Sequence, residues 1–330
     1  MPEIDPLIPP DMAQSIACYE TEAAKILQQF INTIEAKKPP ALLYHYTDYA
    51  GLTGIIKSGK LRFSDIFRLN DPSELSHGLR IAIDILKSRT NYERPEIATF
   101  ASQFERFYLD GGIEKIAHFF IACFSCDGDD LGQWRAYADN GQGFALGFDT
   151  GSLEDAFVKK KGKPVKQHST FPITYDDKEL TRIQTALVDL VDPLISLPRS
   201  TGVRGDALRA YMMDLLVYHS MNVIRGIIFF KHEAYKNETE YRFQQLFQAG
   251  PPVPDVKYKP RSKSEVSYVE QVRYREFDWR SAAPGQLKKI VIGPAADRAK
   301  AARFVKDCLI TFHAEPNSVE LVYSKIPYRV

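Results

Sequence analysis

Apolar residues recur every three or four positions near the start of the chain, which is the spacing of an amphipathic helix. Asp11 follows two prolines and is a candidate N-cap, and the Lys-Lys-Pro-Pro run over 37–40 ends the pattern. The apolar positions that predict this helix are Met12, Ile16, Tyr19, Ala23, Ile26, Phe30 and Ile34.

Shorter apolar or alternating runs predict strands. The run His118–Ser125 is apolar enough for a central strand that is buried on both faces. The other predicted strands are Leu42–Thr47, Leu61–Ser64, Gly143–Phe148, Phe171–Tyr175, Tyr241–Phe247, Val266–Arg275, Leu287–Gly293 and Val319–Ser324.

Helical spacing returns in the second half of the chain. It predicts helices over 178–196 and 204–231, joined by a loop with Pro198 and Gly202, and a last helix over Asp297–Phe312. The Pro-, Lys- and Arg-rich stretch Gly250–Ser264 is typical of an exposed linker or loop. Strands and helices are interspersed without a βαβ rhythm, so the fold class is α+β.

Composition narrows the class of protein. The 330 residues are 44% hydrophobic and 26% charged, as in a globular chain of one large domain or two closely packed ones. A net charge of +1 forces no polyanionic partner, although a local basic patch can still bind one. Four scattered cysteines, an N-terminus unlike a signal peptide and no apolar run near 18 residues predict a cytoplasmic protein with no membrane partner.

The first candidate for chemistry is the run Leu43-Tyr44-His45-Tyr46-Thr47, which a short helix and a Gly-x-Leu turn follow. A histidine that alternates with tyrosines on a buried strand cannot face hydrocarbon alone. The imidazole is therefore a hydrogen-bonded core group or points into a pocket.

The second candidate is the pair Glu238 and Glu240, two positions apart before a late strand. On an extended segment both carboxylates would face the same way. Such a pair is either a solvated face or a functional Glu-x-Glu element.

The third candidate is the segment around Trp134 and Tyr137, which share a helical face at three-residue spacing. The two rings either pack in the core or form a stacking surface for nicotinamide or adenine. Arg135 between them can pair with a pyrophosphate.

Several further features each have a structural explanation. Asn70-Asp71-Pro72-Ser73-Glu74 is the start of a helix, with Asp71 as N-cap, and Asn70 at this start is also a candidate phosphate contact. Cys123-x-x-Cys126 lacks a second such pair, so no metal site is predicted. The basic residues from Lys257 to Lys263 belong to a solvated loop or contact nucleic acid.

The first candidate run resembles the opening of the ADP-ribosyltransferase superfamily over residues 42–64: His-x-Thr on a strand, a short Leu-x-x-Ile helix and Gly-x-Leu. The resemblance implies a split, mostly antiparallel sheet with NAD as substrate. His45 and Thr47, with Tyr46 between them, would hold the NAD ribose, and Glu240 would be the catalytic glutamate with Glu238 beside it. The middle member of the triad has no unambiguous position, and Tyr137 and then Ser125 are the candidates.

The chain also resembles a bacterial family known as domain of unknown function 2971. This likeness spans most of residues 42–294 and depends on the His-Tyr-Thr run, Asn70 to Glu74, Phe124-Ser125 with Trp134 and Tyr137, Gly143 to Asp149, and Glu238-x-Glu240-x-Arg242. The family's setting implies a toxin or phage-defence effector, with an antitoxin or another defence protein as partner.

These likenesses predict a helical extension over 1–40 and an ADP-ribosyltransferase-like catalytic domain over 41–330, with a helical insertion at about 178–231. The activity would be ADP-ribosyl transfer to a protein or nucleic acid, or NAD hydrolysis. Two alternatives stay open. One is a nucleotide-binding signalling module without catalysis. The other is a metal-dependent nuclease using Asp71, Glu74, Asp127, Asp129 and Asp130.

Overall fold

The structure is a computed structural model that describes residues 3–68, 73–160, 163–248, 252–260, 271–282, 285–313 and 315–328. Its α-helices are α1 (Pro10–Glu35), α2 (Tyr49–Ser58), α3 (Ser73–Ser88), α4 (Pro95–Leu109), α5 (Leu131–Tyr137), α6 (Thr150–Val158), α7 (Asp177–Thr201), α8 (Gly205–Ile227), α9 (Trp279–Ala282) and α10 (Arg298–Phe312). Single 3-10 turns lie at Ile66–Arg68, Ile113–Lys115, Asp139–Gly141, Glu233–Glu238 and Pro316–Ser318.

The strands are β1 (Leu42–Thr47), β2 (Lys60–Asp65), β3 (Ala117–Ser125), β4 (Phe144–Asp149), β5 (Lys159–Lys160), β6 (Lys163–Pro164), β7 (His168–Pro172), β8 (Glu240–Gln248), β9 (Lys257–Pro260), β10 (Gln271–Asp278), β11 (Leu287–Ile292) and β12 (Glu320–Tyr323). Within the described ranges, ten of them form one sheet, and β5 and β6 form a separate hairpin. All the strand pairings of the large sheet except that of β11 with β12 are antiparallel. This confirms a mixed helix and strand architecture with a mostly antiparallel sheet.

The sheet divides at β3. One edge of β3 pairs with β8 over the whole length of the strand, from Ala117 to Ser125. The other edge of β3 pairs with two strands. It pairs with β1 at Ser125 and with β2 at Phe120 and Ile121. In the described ranges, the registers on that edge thus stop at Ile121 on one side and Ser125 on the other. β1 leads on to β4, β11 and β12, and β2 leads on to β10 and β9.

Helices cover both faces of the sheet. One face of β3, with Phe119 and Ile121, belongs to a large core shared with α1, α3, α4, α7 and α8. The other face, with Phe120 and Phe124, packs against α2, α6, α9 and α10. The helices predicted as additions, α1, α7 and α8, therefore pack together as one layer. None of the helices in the described ranges combines the length and apolar character needed to cross a membrane.

Some predicted boundaries were wrong. α1 begins at Pro10 because proline fits the first turn of a helix, so the N-cap is Pro9 and Asp11 lies inside the helix. Leu27 rather than Ile26 is the buried residue of that turn. Asn70, Asp71 and Pro72 lie outside the described residues, so the predicted helix start is not tested.

Two expected loops are regular structure. Pro198 lies inside α7, which continues to Thr201, because its apolar face packs against α1, α3 and α8 strongly enough to outweigh the local preference of proline. The sequence also predicted Gly250–Ser264 as a linker, but β9 within it pairs with β10 at the edge of the sheet.

The helical core contains a buried histidine whose protonation should limit stability in acid. His219 on α8 is fully buried, its Nδ1 lies 2.9 Å from the hydroxyl of Tyr19, and the Phe104 ring lies 5.2 Å away. Burial lowers the pKa of this imidazole to about 3. Below an unfolded-state pKa of about 6.5, only the unfolded chain takes up the proton. Stability should therefore fall by about 1.4 kcal/mol per pH unit from pH 6.5 down to the folded pKa, and be constant with respect to this group above pH 6.5.

Urea unfolding at a series of pH values tests this expectation for the wild type and for His219→Phe. The phenylalanine variant should show a shallower loss of stability between pH 6 and pH 4. Parallel curves for the two proteins would show that His219 is not the titrating group.

Candidate functional site

A cleft of about 330 Å³ opens where β1 and β2 diverge from β3. Residues from β1, β2, β3, α5, the Glu233–Glu238 turn and β8 line it. Of the residues predicted from the sequence, the lining includes His45, Tyr46, Ser125, Tyr137, Glu238 and Glu240. Residues 45 and 240 are far apart in the chain, yet they border the same cavity.

His45 reaches the cleft through the split in the sheet. Its neighbour Tyr44 is in register with Ser125, which in turn is in register with Glu240, so these three share one face. His45 therefore leaves β1 on the opposite face, beside Phe124, and its Nδ1 lies 3.4 Å from the backbone carbonyl of Cys123. The imidazole occupies the gap that the missing strand pairing leaves.

The environment of His45 fixes its protonation. Burial lowers its pKa, so the ring is neutral at neutral pH. A carbonyl only accepts hydrogen bonds, so Nδ1 carries the proton toward Cys123, and Nε2 is the acceptor of the neutral ring.

Glu240 belongs to a buried cluster of charges. Arg242 Nε donates to one carboxylate oxygen at 2.5 Å, and Lys231 Nζ contacts the other at 3.2 Å. Lys231 also binds Glu238 at 2.6 Å. Burial alone would raise the pKa of Glu240, but the charges of Arg242 and Lys231 outweigh it and hold the pKa below its usual range. The Glu240 carboxylate is thus ionised at neutral pH.

The backbone before Glu240 is not extended. The prediction that Glu238 and Glu240 face the same way because they alternate along an extended segment was therefore wrong. Glu238 ends a 3-10 turn, and Thr239 follows with a φ of 43°, a left-handed conformation that costs energy for a β-branched residue. The two carboxylates converge because both bind Lys231, and alternation along a strand plays no part. Glu238 is the more accessible of the two, with 19% of its side chain exposed against 4% for Glu240.

Ser125 and Tyr137, the two candidates for the middle of the triad, have different roles. The Ser125 hydroxyl donates to the backbone carbonyl of Glu238 at 2.9 Å and accepts from the amide of Asp127 at 3.1 Å, and it is 2% exposed. It therefore positions the glutamate turn. Tyr137 is 48% exposed at the end of α5, and burial of its hydroxyl, followed by the charge of Glu238, raises the pKa of the phenol. The neutral Tyr137 hydroxyl is available as a donor.

Core packing and a stacking surface were the two alternatives for Trp134 and Tyr137, and the two rings differ in exposure: Trp134 is buried and Tyr137 is exposed. Trp134 is fully buried, packs edge-on against Tyr46 at 4.8 Å, and donates from Nε1 to Asp129 at 2.8 Å. Trp134 therefore packs in the core. Tyr46 borders the cleft but is itself buried, with its hydroxyl bound to backbone atoms of Asp127 and Asp130.

Two other predicted residues are not among the described residues that line the cleft. Thr47 is buried on the face of β1 away from Glu240, and Arg135 is exposed on α5. Asn70 lies outside the described residues.

The acidic residues of the nuclease alternative have structural roles where the structure describes them. Asp130 caps α5 by accepting from the amide of Gln133, and Asp127 accepts from the amide of Asp129. Asp129 binds Trp134 Nε1 and the amide of Lys325. Within the described ranges, no three His, Cys, Asp or Glu residues are grouped so as to hold a metal ion.

Sequence reasoning named Arg242 only as part of a motif, and it missed Lys231 and Tyr175. Lys231 and Arg242 bind the Glu240 carboxylate, and the Tyr175 hydroxyl accepts from the amide of Glu240 at 2.9 Å. Arg242 alternates with apolar residues on a strand, as a buried partner of Glu240 would, and this was the available signal. Lys231 follows the apolar end of a helix and carries no comparable signal.

Residues 133–243 match the family model described as "Protein of unknown function (DUF2971)". The match begins in α5 and ends in β8, so it includes Tyr137, Lys231, Glu238 and Glu240 but not His45. It supports the resemblance to that family over this segment. Comparison with curated proteins and with solved structures gives no match.

The buried charges predict a non-additive response to substitution. Arg242→Met should destabilise the protein by about 3–5 kcal/mol, because it leaves the Glu240 carboxylate buried with only part of its compensation. The double variant Glu240→Leu/Arg242→Met removes both charges of the closest pair and should be more stable than Arg242→Met alone. Urea unfolding of the two single variants and the double variant measures the coupling. A double variant less stable than Arg242→Met would contradict this account of the cluster.

Proposed function

We propose that the cleft binds the nicotinamide riboside half of NAD and that the protein cleaves the glycosidic bond to nicotinamide, passing ADP-ribose to an acceptor or to water. The observation that carries the proposal is the convergence of His45, Tyr137 and the ionised Glu240 on one cavity from three separate elements. At about 330 Å³, the cavity lies at the lower end of the range for small-molecule sites. It suits one half of a dinucleotide better than the whole.

The side chains suit the parts of such a substrate. Neutral His45 offers Nε2 as an acceptor for a ribose hydroxyl, and Tyr137 offers a hydroxyl donor and a half-exposed ring. The carboxylates of Glu238 and Glu240 place negative charge beside the ribose, where positive charge develops as the bond breaks. Retained ionisation of Glu240 means that this charge is present at neutral pH.

The bond changes balance without a further reactant. The bond between C1′ of the ribose and the pyridinium nitrogen breaks, and nicotinamide leaves as a neutral molecule with the bonding electron pair. The resulting oxocarbenium-like centre is stabilised by the carboxylates, as in glycoside hydrolysis. Water or an acceptor group then bonds to C1′ and releases one proton to solvent or to Glu238, the more accessible carboxylate.

One observation favours a second candidate function, a nucleotide-binding module without catalysis. Both carboxylate oxygens of Glu240 already contact cations, Arg242 and Lys231. In a module of this kind the cluster would hold the cleft in shape, and NAD would bind without release of nicotinamide.

Release of nicotinamide from NAD, measured together with NAD binding by calorimetry, separates these two functions. For the enzyme, Glu240→Gln should lower turnover by about 100-fold or more, because the amide supplies no negative charge to the developing cation. Binding of NAD without any nicotinamide release by the wild type would instead favour the module.

Matched substitutions test the assigned roles. Glu233→Gln makes the same chemical change at an exposed position of the same turn and should leave turnover unchanged. Glu238→Gln distinguishes the members of the pair: a fully active Glu240→Gln beside an inactive Glu238→Gln would overturn the assignment of Glu240.

His45→Ala should weaken NAD binding by about two- to thirteenfold, the loss expected for one neutral hydrogen bond of about 0.5–1.5 kcal/mol. Calorimetric titration with NAD measures the change. The unfolding midpoint of the variant serves as the control, since a large drop would mean that His45 acts as a core residue.

A further inference from the structure

One wing of the sheet carries a row of basic side chains that begins at the cleft. Arg62 and Ser64 of β2 line the cleft, and their register partners on β10 are Glu276 and Tyr274. Tyr274 is in turn paired with Lys257 of the edge strand β9.

Four basic side chains of this wing lie on a single face. Side chains alternate along a strand, and the registers place Lys60, Arg62, Lys257 and Lys259 on the same face as Ser64. We call these four residues the basic strip. Lys257 lies two strands away from Ser64, which at the usual strand spacing is about 10 Å. The strip therefore borders the mouth of the cleft.

The charges of the strip are only partly compensated. Lys60 and Lys257 share one carboxylate, that of Glu276, at 3.3 and 2.7 Å. Arg62 lies over the ring of Tyr274 at 5.0 Å, and neither Arg62 nor Lys259 has an acidic partner in the described part of the chain. Burial lowers the pKa of the Lys259 ammonium, and the charge of Arg62 lowers it further. An anion placed between these two cations would relieve their repulsion.

We propose that the basic strip binds the phosphate backbone of a nucleic-acid strand and leads it to the mouth of the cleft. Lys257 and Lys259 lie at alternate positions of β9, about 7 Å apart, so they bring two cations to the same face of the strand. The ring of Tyr274, the register partner of Lys257, lies under the guanidinium of Arg62. Binding of a nucleic acid by the basic strip does not depend on the proposed function. The idea that this nucleic acid accepts ADP-ribose rests on the proposed function.

Fluorescence anisotropy with labelled single-stranded 20-nucleotide DNA and RNA tests the proposal on the full chain. Lys257→Gln/Lys259→Gln should weaken binding about tenfold at moderate salt. The slope of log affinity against log salt should fall by roughly 1.4, because each phosphate contact with a single strand contributes about 0.7. The matched control is Lys300→Gln/Lys306→Gln, which removes two exposed lysines from α10 on the opposite side of the sheet.

Equal affinity of the wild type and the strip variant, or an equal loss in the α10 control, would overturn the proposal, as would failure of the wild type to bind either oligonucleotide. Tighter binding of inorganic polyphosphate than of either oligonucleotide would also reject a nucleic-acid strand as the ligand. Nicotinamide release without oligonucleotide is measured in parallel and should be the same in the strip variant and the wild type. Absence of nicotinamide release with oligonucleotide binding intact would count against the proposed function while leaving the strip in place.

Discussion

The site depends on how the backbone of β3 is shared. A strand has two edges, and β3 gives one of them entirely to β8 and divides the other between β1 and β2. Because β1 takes only the end of that edge, the carbonyl of Cys123 faces a gap in place of a neighbouring strand. His45 fills the gap and uses this carbonyl. If β1 paired along the whole of β3, the cleft would be closed and the imidazole would have no route to the side of Glu240.

The cluster around Glu240 satisfies a second constraint, that charges buried at the end of a strand need compensation. Arg242 and Lys231 supply it, and the Ser125 hydroxyl and the Tyr175 hydroxyl hold the adjoining backbone. This network also maintains the left-handed conformation of Thr239, which alone would be unfavourable. The unfavourable backbone conformation of Thr239 is thus offset by the hydrogen bonds and ion pairs of its neighbours. This conformation brings the carboxylates of Glu238 and Glu240 to the ammonium of Lys231.

The sequence predicted most of what depends on local pattern. β1 has the predicted bounds, Leu42–Thr47, and the expected short helix follows it. The central position of β3 followed from its apolar run. What could not be predicted depends on distant partners: Pro198 remains helical because of tertiary packing, and Lys257 lies in a strand because β10 pairs with it. The same holds for the site, since no sequence spacing shows that Lys231 joins Glu238 to Glu240.

The charge balance of the cluster bears on the roles that the proposed function gives to Glu238 and Glu240. Lys231, Arg242, Glu238 and Glu240 form ion pairs in which two positive and two negative charges cancel, so the cluster has no net charge. Position within the cluster then matters more than its sum. Glu240 is the deeper residue and is bound by both cations, whereas Glu238 contacts Lys231 from the side nearer solvent. Under the proposed function, a ligand that draws Lys231 toward Glu238 would leave the second carboxylate oxygen of Glu240 with Arg242 Nη2 alone, at 3.3 Å. In that case the position of Lys231 would set how much negative charge the cleft presents, and it would couple the two carboxylates.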